Sequence, residues 1–138
     1  LGPVYQAGTL AGNPLAMAAG LATLHELTPA AYERLEASGS RLEGALQKTA
    51  AAAGVPLITA RAGAMVGFHL SRGPVANFQD ASRQDGAAYA KLFHELLSRG
   101  VYFPPSPFEA LFLSLAHEGK ALDRAEAAMA AAFEAVGA

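Results

Sequence analysis

Two segments carry residue types and spacings that could do chemistry. The first is Tyr5-Gln6-Ala7-Gly8-Thr9-Leu10-Ala11-Gly12-Asn13-Pro14. A glycine-rich loop that runs into a helix N-terminus can turn backbone N–H groups toward an anion, and a threonine adds a hydroxyl donor. On physics alone the pattern is either a phosphate-binding loop or an ordinary capped loop. The second is Pro104-Pro105-Ser106-Pro107-Phe108-Glu109. Each proline fixes its own φ and restrains the residue before it, so the loop is stiff. Glu109 follows it and precedes an apolar stretch. Its carboxylate is either a solvated loop end or one aimed into a cleft.

Other candidate groups carry less. The four histidines, His25, His69, His94 and His117, lack the spacings of a metal site. His69 alternates with core residues and reads as a satisfied sheet histidine, and His94 beside Phe93 reads as a boundary residue. His117 follows a strand end, where site residues gather, yet its reading is also structural. No Gly-x-Ser-x-Gly elbow supports a serine hydrolase. Most of Glu33, Glu36, Glu43, Glu126 and Glu134 are placed on solvated helix faces, which leaves no acid–base pair.

Composition excludes further classes. Of 138 residues, 52% are hydrophobic and 16% charged, too apolar for a disordered chain. The length fits one domain with a real core. With no cysteine there is no disulfide framework, thiolate metal site or cysteine nucleophile. This suits a cytosolic protein without fixing the compartment. A net charge of −2 with no basic stripe argues against nucleic acid and anionic membranes. No apolar run reaches the roughly 20 residues of a membrane span. The opening Leu1-Gly2-Pro3, with neither methionine nor a basic leader, reads as a piece of something longer.

The elements that must position these groups follow from caps and periodicity. Asn13-Pro14 starts a helix that runs to about Leu27. It carries almost no charge before His25 and Glu26, so burial on most sides is expected. Thr28-Pro29 starts a second helix, with Tyr32, Leu35, Leu42 and Leu46 on its inner face, ending near Gly54. Val55–Ala60 and Ala64–Ser71 read as strands, the latter with Val66, Phe68 and Leu70 inward. After a loop over Arg72–Asp80, a helix presents Tyr89, Leu92, Phe93, Leu96 and Leu97 and stops at Gly100. Val101–Phe103 and Ala110–Leu115 read as further strands. A last helix carries Leu122, Ala125, Met129, Phe133 and Val136. This order predicts an α+β fold, with helices on one face of a small, mostly antiparallel sheet.

The segment from Gly2 to Met17 closely resembles the glutamate-1-semialdehyde 2,1-aminomutase family, within the pyridoxal-phosphate (PLP) enzymes of the class III aminotransferase group. Matches continue in order through Gly73-Pro74-Val75, Asn77-Phe78, Asp80-Ala81, Pro105-Ser106, Phe108-Glu109-Ala110 and Ser114-Leu115-Ala116-His117. The resemblance implies the C-terminal small domain of a fold-type I PLP-dependent transferase. Residues 1–27 would be an interface loop and helix joining the large domain, and residues 28–138 the small domain. It implies a cytoplasmic homodimer acting on a small-molecule substrate in tetrapyrrole biosynthesis. Gly8 and Thr9 match the turn that holds the cofactor phosphate of the other subunit. Glu109 is carried over as a carboxylate near the active site. The family's Schiff-base lysine and the aspartate that pairs with the pyridine nitrogen have no counterpart. Lys48, Lys91 and Lys120 all sit on helices, so the catalytic lysine is expected upstream and the chain by itself is expected to be inactive. Two alternatives stay open: part of another class III enzyme acting on ω-amines, and a free-standing binding module.

Overall fold

The computed structural model describes residues 2–5 and 7–138; Leu1, and Gln6 of the glycine-rich loop, lie outside the described residues. Among the described residues five helical segments and three strands follow in the order α1 (Pro14–Glu26), α2 (Pro29–Ala52), β1 (Ile58–Ala62), β2 (Met65–His69), α3 (Phe78–Ala81), α4 (Gly86–Ser98), β3 (Leu111–Phe112) and α5 (Lys120–Gly137). The strands form one antiparallel sheet in the order β1-β2-β3, with Ile58 opposite His69 and Met65 opposite Phe112. Helix α5 packs against both α2 and α4, and α2 lies on the β1–β2 hairpin. The α+β expectation is met.

The core lies between these helices and one face of the sheet. Leu42 and Leu46 of α2, Val66 and Phe68 of β2, Leu92 and Leu96 of α4 and Met129 and Phe133 of α5 are buried in it. On α2 the inner stripe runs through Ala31, Ser38, Leu42 and Leu46, and Tyr32 is exposed rather than inward. Ion pairs fasten α2 on both sides. Arg61 of β1 meets Glu36 and Glu43, and Arg41 meets Asp123 and Glu126 of α5. These carboxylates are therefore partnered, while Glu33 and Glu134 stand in solvent.

Several expected boundaries are corrected. Val55–Leu57 and Val101–Phe103 are not strands. Gly54 and Gly100 adopt φ of +67° and +78°, and the next residue's N–H turns back into the helix: Val55 N–H donates to the Ala50 carbonyl and Val101 N–H to Leu96. Both are Schellman C-caps, whose following apolar residue belongs to the cap rather than to a ladder. The expected strand Ala110–Leu115 is reduced to Leu111–Phe112, because Ser114 N–H donates to His117 Nδ1 in a turn. The loop before the third helix contains α3, capped by Asn77, and α4 starts only at Gly86 behind its Asp85 cap.

Helix α1 is capped as expected, Asn13 Oδ1 accepting from the N–H groups of Leu15 and Ala16. The expectation that it is buried on most sides is not met, for α1 buries no residue. Its apolar residues are spread around the helix, and Leu15, Met17, Leu21 and Leu24 are all exposed.

Candidate functional site

The Pro104–Glu109 loop is held at both ends by side chains from the region of α4. The Tyr89 hydroxyl donates to the Pro104 carbonyl at 2.7 Å. Gln84 Nε2 donates to the Pro107 carbonyl at 3.1 Å. Both donors are buried residues. Tyr89 reaches its position because α4 turns it inward, where it stacks on Phe68 at 5.7 Å, and Phe68 in turn meets Phe103 at 6.0 Å. Within the loop, Phe108 N–H donates to Ser106 Oγ and Glu109 N–H to the Ser106 carbonyl. The Phe108 ring lies against Phe78 at 5.5 Å.

Glu109 lines a cleft of about 640 Å³ between this loop, β3 and the first turns of α5. Its walls include Val101, Phe103, Leu111, Leu113 and Leu122, and its polar groups include His117 and Arg124. The Glu109 carboxylate is exposed. Burial pushes the Tyr89 hydroxyl up to about 12, and the negative charge of Glu109 adds to the shift. The His117 Nδ1 accepts the Ser114 N–H at 3.0 Å, which puts a neutral ring's proton on Nε2. Among the described residues Arg124 is in no ion pair.

Gly8 and Thr9 are exposed and do not line this cleft. They stand in a turn closed by Ala11 N–H donating to the Gly8 carbonyl at 3.0 Å. A Cβ on Gly8 would press on that of Ala11 at 3.1 Å, so the local turn favours glycine. The helix behind contributes little to an anion, because the Asn13 side chain already takes two of its N–H groups. His94 meets Phe93 edge to face, a boundary arrangement. His69 differs from its expected satisfied state: among the described residues its buried Nδ1 has no partner. No cluster of three or more metal-ligating side chains occurs among the described residues.

Reading the sequence missed the roles of Tyr89 and Gln84. In the helical pattern Tyr89 is one residue of an apolar stripe. The signal available for it is a hydroxyl in that stripe followed 15 residues later by a proline-rich loop whose carbonyls need donors.

No protein-family model matches the chain. Curated relatives do. A glutamate-1-semialdehyde 2,1-aminomutase of Thermus thermophilus is 56% identical over 119 residues, 85% of this chain and 28% of the relative. Glutamate-1-semialdehyde 2,1-aminomutase 1 of Staphylococcus carnosus is 44% identical over 136 residues, 99% of this chain and 32% of the relative. Among solved structures, an omega-transaminase from Sphaerobacter thermophilus superposes with a TM-score of 0.79 at 26% identity, covering 96% of this chain and 30% of the other. A transaminase with PLP bound superposes at the same TM-score and 22% identity, again over 96% of this chain and 30% of the other, and speaks for the fold alone. The chain thus spans about 30% of the length of the curated relatives it matches. Over as much as 99% of its own length the chain is similar to the C-terminal part of glutamate-1-semialdehyde 2,1-aminomutases.

Proposed function

We propose that the intact protein containing this chain is a PLP-dependent aminomutase that converts glutamate-1-semialdehyde to 5-aminolevulinate, and that this chain supplies its C-terminal small domain. The observation that carries the reading is sequence similarity to aminomutases running over as much as 99% of the chain. Residues 28–138 form the small domain in this reading. Residues 1–27, which include the helix that buries nothing, are the connection to a large domain and a second subunit. The protein works as a homodimer in the cytoplasm.

The residues present fit the phosphate end of the cofactor. Residues 1–25 contain no carboxylate to repel it, and among the described residues nothing accepts from or donates to the Thr9 hydroxyl. The same stretch contains no lysine or arginine, so Gly8 and Thr9 supply neutral donors to the other subunit's cofactor and the compensating charge comes from elsewhere. When bound, PLP supplies an electron sink that lets bonds at the amine-bearing carbon break. The covalent link to it does not fit this chain, since Lys48, Lys91 and Lys120 are all exposed on helices. Glu109 faces the substrate, where its carboxylate accepts a hydrogen bond from a donor on the substrate and repels a misplaced substrate carboxylate.

The test is the full-length protein loaded with PLP and given glutamate-1-semialdehyde, with 5-aminolevulinate measured. Turnover is expected, and the 138-residue chain alone should show none and should take no stoichiometric label on borohydride reduction with PLP. Transfer from an ω-amine to a keto acid, with no aminolevulinate formed, would overturn the reading in favour of an ω-transaminase, to which the fold is also similar.

A further inference from the structure

We propose that Tyr89 and Gln84 are positioning residues for Glu109, together clasping the loop that carries it. This rests on the reading of Glu109 as a substrate-facing carboxylate.

The loop has prolines at 104, 105 and 107, which offer no N–H and cannot be held by a backbone ladder. Their carbonyls are its available handles. The buried Tyr89 hydroxyl takes Pro104 at 2.7 Å, and the buried Gln84 amide takes Pro107 at 3.1 Å. The amide orientation is fixed chemically, because a flipped Gln84 would set one carbonyl oxygen against another. Between these holds the chain has few ways to move. From the second hold it reaches Glu109 in two residues, with both N–H groups on the way donating to Ser106. Each holding residue is itself anchored, Tyr89 by its ring and Gln84 by its backbone. Tyr89 is stacked on Phe68, and Gln84 N–H donates to the Ala81 carbonyl while the next N–H, of Asp85, donates to the Leu70 carbonyl. A surface carboxylate thus stands on a loop referenced to the core, as a substrate contact requires.

The test uses the full-length holoenzyme with Tyr89→Phe, Gln84→Met, Glu109→Gln and the pairwise combinations. Tyr89→Phe keeps the stacked ring and removes only the donor, and Gln84→Met gives an independent probe if that variant folds poorly. Hydrogen exchange across residues 104–110 should accelerate about three- to tenfold in either variant, the loosening expected from one lost hydrogen bond. kcat/KM should fall by about tenfold, as for a modest misplacement of a contact group. The Tyr89→Phe loss should disappear in the Glu109→Gln background. Unchanged loop exchange would overturn the clasp. Loosening with the same loss in both backgrounds would overturn its action through Glu109. Full turnover in Glu109→Gln alone would instead overturn the role of Glu109 and the inference with it, an outcome told apart from a failed clasp by the loop exchange.

Discussion

Gly39 of α2 lies directly on the β1–β2 turn: a Cβ built on it would stand closer than 3.0 Å to the carbonyl oxygen of Gly63. The obstructing atom is backbone, and Gly63 is itself fixed at a φ of +59°, so neither side can yield cheaply. Gly39→Ala is therefore expected to destabilise by about 1–3 kcal/mol, the cost of overpacking a close contact. Urea denaturation should show a lower midpoint with an unchanged slope. A midpoint equal to wild type would mean that α2 can ride off the hairpin freely. Gly44, on the same helix with open space around it, is the control.

Much of this fold is legible in the sequence, because caps and stripes are local. Asn13 and Thr28 cap the helices that follow them, as their residue types predict, and Val66, Phe68 and Leu70 all point into the core. The false strand at Val101–Phe103 and the premature start of the first strand at Val55 share one cause. Val55 and Val101 each follow a C′ glycine, and an apolar residue there completes a helix end, which a strand pattern imitates over three residues. The exposed α1 marks another limit. A uniformly apolar helix asks for a cover, and among the described residues none buries it. The loop clasp is illegible for a third reason: it joins side chains to backbone carbonyls, and spacing alone cannot show that.

The Tyr89 hydroxyl should make stability pH-dependent at the alkaline end. Its folded value is raised to about 12, by burial first and by Glu109 second. The ordinary value near 10 applies in the unfolded chain. The folded state therefore binds the proton more tightly. This contribution is complete below about pH 10 and is lost as pH rises from there toward 12. Denaturation midpoints taken from pH 9 to 12 should fall more steeply in wild type than in Tyr89→Phe. Parallel curves would mean that the hydroxyl is solvated.

Because α1 buries nothing, removing residues 1–27 should leave the melting temperature of the 138-residue chain unchanged. The same bare helix should make the intact chain self-associate. Leu15 is 81% exposed, and Met17, Leu21 and Leu24 are more than half exposed, a surface normally covered. Sedimentation should find oligomers that rise with concentration and vanish in the combined Leu15→Gln, Leu21→Gln, Leu24→Gln variant. A monomeric wild-type chain at high concentration, or a large drop in melting temperature on removing the segment, would show that α1 packs on the body after all.

Thr9 offers the sharpest test of the cofactor reading. A phosphate is a dense anion, and Gly8 beside it carries no side chain to keep the backbone away. In the proposed full-length dimer the Thr9 hydroxyl is expected to donate to the phosphate of the cofactor held mainly by the other subunit. A hydrogen bond to a charged group contributes about 1.5–3 kcal/mol. Thr9→Val keeps the branched shape and removes the donor, so PLP affinity should fall by roughly one to two powers of ten, since about 1.4 kcal/mol is tenfold. The loss should appear in cofactor retention and leave the melting point of the cofactor-free protein where it was, because Thr9 is exposed and lies outside the core. Absorbance of the retained cofactor after dialysis, compared between wild type and Thr9→Val, measures it directly. Equal retention would make Thr9 an ordinary turn residue and would remove the phosphate role from this loop, whatever the fate of Glu109.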